Sequence, residues 1–186
     1  RYLGIALGLV VTLWCLSGFV MMYVQYPDLD EKERLAGLES LKFETCCRLP
    51  TDFGNIVLDR FRVEMFDSRP VLRLVDGAYQ YVIDLLTGEY LASFYEAETQ
   101  RSAAIAAKEF GLSGQPRLLG VIEQDQWTVY PAYSSHRPLY HFVMNDSPGT
   151  EFYVSGTTGE VVQLTTSRTR FWNWIGAVPH WLYPTV

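Results

Sequence analysis

The sequence predicts an α+β protein: an N-terminal transmembrane helix, two tandem units that each pack a helix on an antiparallel sheet, and the start of a second transmembrane helix. Three observations carry this reading. Tyr2 to Val24 holds no charged side chain, and at the α-helical rise it is long enough to cross a bilayer. Downstream, Arg69-Pro70-Val71-Leu72-Arg73-Leu74-Val75 is echoed by Arg137-Pro138-Leu139-Tyr140-His141-Phe142-Val143, and Val82-Ile83-Asp84-Leu85-Leu86-Thr87-Gly88-Glu89 by Tyr153-Val154-Ser155-Gly156-Thr157-Thr158-Gly159-Glu160. Self-similarity of this kind marks a repeated structural unit. Within each copy the apolar pattern changes from helical spacing to strand alternation.

The apolar N-terminal stretch reads as an anchor. A cleaved signal peptide has a shorter apolar run and a small-residue cleavage site, whereas this one leaves through Met21-Met22-Tyr23-Val24-Gln25-Tyr26. Arg1 before it and Asp28, Asp30, Glu31 and Glu33 after it place the middle of the chain outside the cytoplasm. Gly4 and Gly8 form a GxxxG, a spacing that admits a second helix but is also common in membrane helices generally.

The two helices of the repeat have start signals. Asp28 with Glu31, and Ser93 with Glu96, are spaced as an N-cap and its third helical residue. Leu35, Leu38 and Leu41 recur at helical steps in the first; the second is alanine-rich from Ala103 to Ala107 and closes at Gly111. Strands are expected over 57–66, 118–123 and 127–133 beside the repeated ones. Asp76-Gly77 is a tight-turn signal in copy one, replaced by the longer Asn145-Asp146-Ser147-Pro148-Gly149 in copy two. Strand alternation turns Leu72, Leu74, Tyr140 and Phe142 towards the helices and Arg73 and His141 away.

Composition narrows function. The 186-residue chain carries a net charge of −6, and every acidic residue lies between Asp28 and Glu160, which argues against nucleic acid as a partner. Cys15 falls in the apolar helix and Cys46-Cys47 are adjacent, so neither a CxxC pair nor a zinc spacing is present; small buried residues are the reading adopted. No H-E-x-x-H, G-x-S-x-G, Walker loop or G-x-G-x-x-G occurs, so the chain by itself has no recognisable catalytic machinery. His136 and His141 would face opposite sides of one strand and cannot share a metal there. Arg69 and Arg137, each before proline, suit pairing with an acidic side chain at a strand start.

Phe171 to Val186 contains no Asp, Glu, Lys or Arg and is interrupted by Pro179 and Pro184. It falls short of the roughly 20 residues of a span, and is expected to be the first part of a second membrane helix. Its Phe171, Trp172, Trp174, Trp181 and Tyr183 suit the membrane interface. His180 is the one histidine placed for a ligand role at membrane depth. The alternative is an interfacial histidine beside Trp181.

The meander ending in Ile83-Asp84-Leu85-Leu86-Thr87-Gly88-Glu89 resembles a PepSY domain. Arg1-Tyr2-Leu3-Gly4 with Leu16-Ser17-Gly18-Phe19-Val20-Met21-Met22-Tyr23, and Trp172-Asn173-Trp174-Ile175-Gly176-Ala177-Val178-Pro179-His180-Trp181-Leu182-Tyr183, resemble the first two membrane helices of PepSY-associated transmembrane proteins. The resemblance implies a transmembrane helix at 1–26, PepSY-like units at 27–92 and 93–167, and a second membrane helix starting at 168–186. It implies a bacterial inner-membrane protein with residues 27–168 in the periplasm, facing the lipid bilayer and further transmembrane helices. Some members resemble haem-bearing reductases that release iron from siderophores, which would make His180 a candidate haem b ligand and a ferric siderophore the substrate. Other PepSY units resemble propeptides that restrain peptidases, so a membrane-anchored peptidase regulator or a non-catalytic scaffold is the alternative.

Overall fold

The computed structural model describes residues 2–43, 46–54 and 56–183. It is a mixed α+β structure with an apolar N-terminal helix and two antiparallel four-stranded sheets. Helix α1, Tyr2–Met21, is apolar around its whole circumference, with only Ser17 buried. Its length and hydropathy are compatible with a membrane anchor or a signal sequence. The chain then passes α2, Glu31–Ala36, and enters the first sheet: β1 Arg60–Phe66, β2 Arg69–Asp76, β3 Tyr79–Asp84 and β4 Glu89–Leu91, in sequential order. Helix α3, Glu96–Glu109, leads into the second sheet: β5 Arg117–Ile122, β6 Leu139–Val143, β7 Glu151–Ser155 and β8 Val161–Thr165, again in sequential order. Two short helices, α4 Ser167–Ile175 and α5 Ala177–His180, return to pack on α1.

Local chemistry explains the turns. Asp67 and Ser68 both adopt left-handed backbone, with φ of 49° and 62°, between the paired Phe66 and Arg69; two such residues form the turn whose twist matches a right-handed hairpin. The β2–β3 turn lies on Gly77-Ala78, one residue beyond the expected Asp76-Gly77, with Asp76 paired to Tyr79. Between β6 and β7, Asp146 accepts from the backbone N–H and the hydroxyl of Thr150, at 2.7 and 2.6 Å.

The second sheet meets its helix as the alternation predicts. Ala103, Ala106 and Ala107 of α3 pack on Phe142, Met144, Phe152 and Val154, with Tyr140 at the margin. Alanines allow the helix close to the aromatic strand face. The helix starts two residues later than expected, with Tyr95 as N-cap and Glu98 accepting from its backbone N–H. Gly111 ends it at φ +69°, with its own N–H bonded to Lys108 and that of Leu112 to Ala107. That is a Schellman closure.

The first sheet departs from expectation. Helix α2 is confined to six residues, capped by Asp30 and Glu33 rather than by Asp28 and Glu31. It ends at Gly37, whose added Cβ would lie 2.8 Å from the Phe110 ring, and Leu35 and Leu41 remain half exposed. Leu72 and Leu74 therefore face no helix; with Ile83 and Leu85 they pack against Cys46 and Ile56 of the preceding loop. The opposite face of β2 is buried as well, Val71 packing with Val82 and Phe94. The Cys46 and Cys47 sulfurs are brought together, but Cys46 is half-buried and Cys47 and Cys15 are exposed, where small buried residues were expected. Residues 127–133 are not a strand: Asp125 accepts from the Trp127 N–H and the Thr128 hydroxyl, and a 3-10 helix follows from Pro131 to His136. An Asp turn and a proline out-compete strand pairing there.

Candidate functional site

Two neighbouring features concentrate the polar chemistry: a histidine seated on α1, and a cleft between the sheets. Helix α5 approaches α1 where small residues permit it. Gly18 has no side chain, and a Cβ there would meet His180 Cε1 at 2.9 Å; a Cβ on Gly176 would meet Val20 and Met21 at 3.2 and 3.3 Å. The His180 ring stacks on Trp14 with centroids 4.8 Å apart. Its Nδ1 lies 3.1 Å from the Trp14 carbonyl oxygen and 3.3 Å from Ser17 Oγ. A carbonyl only accepts, so Nδ1 carries the proton and donates, which leaves the Nε2 lone pair free. Trp14 sits two turns before the end of α1, roughly 10 Å along the helix from Met21.

This arrangement fits a haem ligand in one respect. A ligating histidine ordinarily donates its other ring N–H to a carbonyl or carboxylate, which fixes the tautomer, and His180 does so. Among the described residues no second histidine approaches it, and no group of three or more His, Cys, Asp and Glu is arranged for a metal ion. His136 and His141 belong to the sheet region. His141 stacks on Tyr153 at 4.4 Å and places Nε2 2.9 Å from Glu151, itself paired with Arg170 of α4. That region is tied to the segment that follows α1: Gln163 donates to the Pro27 carbonyl and Asn173 to that of Gln25.

The cleft, about 900 Å³, runs from the exit of α1 to the junction of the two sheets. Tyr26, Tyr130 and Tyr133 line one part of it, Arg34, Arg60 and Arg62 another. Trp181, next to His180, packs its ring on Tyr26 and Tyr130 at 5.6 and 5.9 Å. The histidine site and the cleft thus share an aromatic wall.

A buried ion network adjoins the cleft, sharing Arg34, Arg62 and Glu160 with its lining. Glu64 accepts from Arg34 at 2.6 Å and from Arg73 at 3.0 Å. Arg62 donates to Glu160 at 2.7 Å, and Arg73 donates to the Thr158 carbonyl. Burial alone would raise the Glu160 pKa, but the Arg73 and Arg62 charges outweigh it and hold the carboxyl down at about 2. Its Oε2 has no hydrogen-bond partner. His136 lies beside this network, between Thr158 and Gln80, and burial pushes its pKa down against the pull of Glu160.

Sequence reasoning singled out His180 and did not anticipate the network. Arg73 was expected to point away from a helix; it lies instead on a buried face with Glu64 and the Thr158 carbonyl, beside residues of α2 and α3. The recurrence of Thr-Gly-Glu at Thr87-Gly88-Glu89 and Thr158-Gly159-Glu160 gave no warning, because Glu89 is exposed while Glu160 is buried. Arg69 pairs with Asp84 at 3.3 Å as anticipated; Arg137 instead donates to Gln124 at 2.9 Å. Comparisons of the chain with protein-family models, with curated proteins and with solved structures found no match.

Proposed function

We propose that this chain is the extracytoplasmic, ligand-presenting region of a bacterial inner-membrane protein of the PepSY-associated transmembrane type. Two PepSY-like units, 27–92 and 93–167, are held between the anchor at 1–26 and the start of a second membrane helix at 168–186. The whole protein is a haem-dependent reductase of a ferric chelate such as a siderophore complex. The observation that carries this reading is the placement of His180: its Nδ1–H is committed to the Trp14 carbonyl and its Nε2 is free at the level of the apolar helix. Haem b, when bound, supplies one-electron transfer. The chain's own contribution is to orient His180 through Ser17, Gly18 and Trp14, and to hold the cleft beside it through the aromatic wall.

The test is an absorption spectrum of the full-length protein purified in detergent after expression with ample haem, in air and then with dithionite, with His180→Ala alongside. A Soret band and sharpened α and β bands on reduction, lost in the variant, are expected. A flat visible spectrum overturns the redox reading. The unpaired outer edges of β1, β4, β5 and β8 then favour the alternative, a peptidase regulator that pairs with an extended segment.

A further inference from the structure

The cleft between the sheets is charged against the grain of the molecule. The chain has a net charge of −6, yet three guanidinium groups line the cleft, Arg34, Arg60 and Arg62, against two carboxylates, Asp28 and Glu160. The two deeper arginines are already engaged: Arg34 with Glu31 and Glu64, and Arg62 with Glu160 and, at 3.6 Å, Glu64. Arg60 forms no ion pair among the described residues and is exposed at the start of β1. One uncommitted arginine thus stands at the mouth of a basic-lined concavity on an acidic protein. Low-dielectric walls concentrate such a field, and it draws a ligand of opposite sign.

We infer that the cleft binds a small oxyanion, a compound bearing carboxylate or phosphate groups, with Arg60 as its exposed clamp and Arg62 as its inner contact. This deepens the ligand-presenting reading above and rests on it for the ligand's purpose, though not for its binding. Arginine suits the task because its planar fork of donors matches the oxygens of a carboxylate or phosphate. The tyrosines that line the same cleft supply apolar surface for the ligand's body. Tyr26 and Tyr130 lie in the cleft wall and also touch Trp181, so the ligand would be held within reach of the α1–α5 pair.

The experiment is isothermal titration of the chain in detergent at low ionic strength with citrate, with pyrophosphate and, as a cation of comparable size, with spermidine. Citrate or pyrophosphate is expected to bind one to one, and the tighter of the two separates a carboxylate from a phosphate ligand. Arg60→Gln should weaken that binding roughly tenfold, the loss of one charge-assisted contact. Arg117→Gln, an exposed arginine on β5 away from the cleft, should leave it unchanged, and added salt should weaken it progressively. Binding of spermidine without either anion overturns the inference while leaving the cleft a ligand site. Equal loss in both variants, or no heat from any of the three probes, overturns it as well. Anion binding by a protein with a flat visible spectrum upholds this inference and removes the redox reading, so the two fail separately.

Discussion

Gly18 shows how one missing side chain decides what a neighbouring functional group can do. The His180 ring occupies the space that a Cβ at position 18 would take, and only in that seat does its Nδ1 reach the Trp14 carbonyl. Gly18→Val should therefore unseat the ring, with a modest overpacking cost of ~1–3 kcal/mol because the clash falls on the end of a side chain that can turn away. With three histidines in the chain, 15N spectra of histidine-labelled protein would resolve the outcome. The parent should show His180 in the Nδ1–H tautomer, and the variant should lose that signature. An unchanged spectrum in Gly18→Val would mean that the notch does not hold the imidazole. That His180 lies in an apolar segment was legible from sequence. Its tautomer was not, because that depends on a carbonyl 166 residues away along the chain.

Among the elements, α3 and α2 make an instructive pair. Both showed helical spacing and an acidic start, but α3 continues for 14 residues and α2 for six. The difference lies in what each can cover. Helix α3 presents three buried alanines to an aromatic strand face, whereas Leu35 and Leu41 of the α2 region stay half exposed, the Leu72–Leu74 face of the first sheet being covered by Cys46, Ile56 and their loop. Most helical stability in proteins comes from such packing rather than from propensity. The end of α3 is set locally, by Gly111 in left-handed backbone with open space around its Cα. Gly111→Val should cost about 1–2 kcal/mol, the penalty for a β-branched residue at positive φ. Denaturant unfolding should show a lower midpoint with an unchanged slope; no change in midpoint would mean that the closure contributes nothing.

For the whole molecule, the junction of the two sheets is an electrostatic lock whose strength depends on pH. Glu160 and His136 both have folded-state pKa values below their ordinary ones. In each case the unfolded chain takes up a proton at a pH where the folded chain resists it, so their contribution is complete above the ordinary pKa and is lost as pH falls. The melting temperature should decline first as pH drops through the ordinary histidine value of 6.5, and again between 4.5 and about 2 as Glu160 is protonated. His136→Gln should flatten the upper decline and leave the lower one in place. A parent protein whose melting temperature is level between pH 7 and 5 would show that His136 does not stay neutral in the fold.

The apolar helix, the repeated strand hairpins, the alanine face of α3 and its glycine closure could all be read from the chain alone, because periodicity, turn residues and helix ends are properties of neighbours in sequence. The tight turn at Asp67-Ser68, the Asp125 turn and the shortness of α2 were less visible, since each reflects competition between a local preference and what lies nearby in space. The Arg34–Glu64–Arg73 and Arg62–Glu160 contacts, the seat of His180 on Trp14 and the basic-lined cleft were decided only in three dimensions. They join residues from α1, α2, both sheets and α5. Whether a charge at such a position is solvated or buried in a pair depends on which surfaces the folded chain brings together.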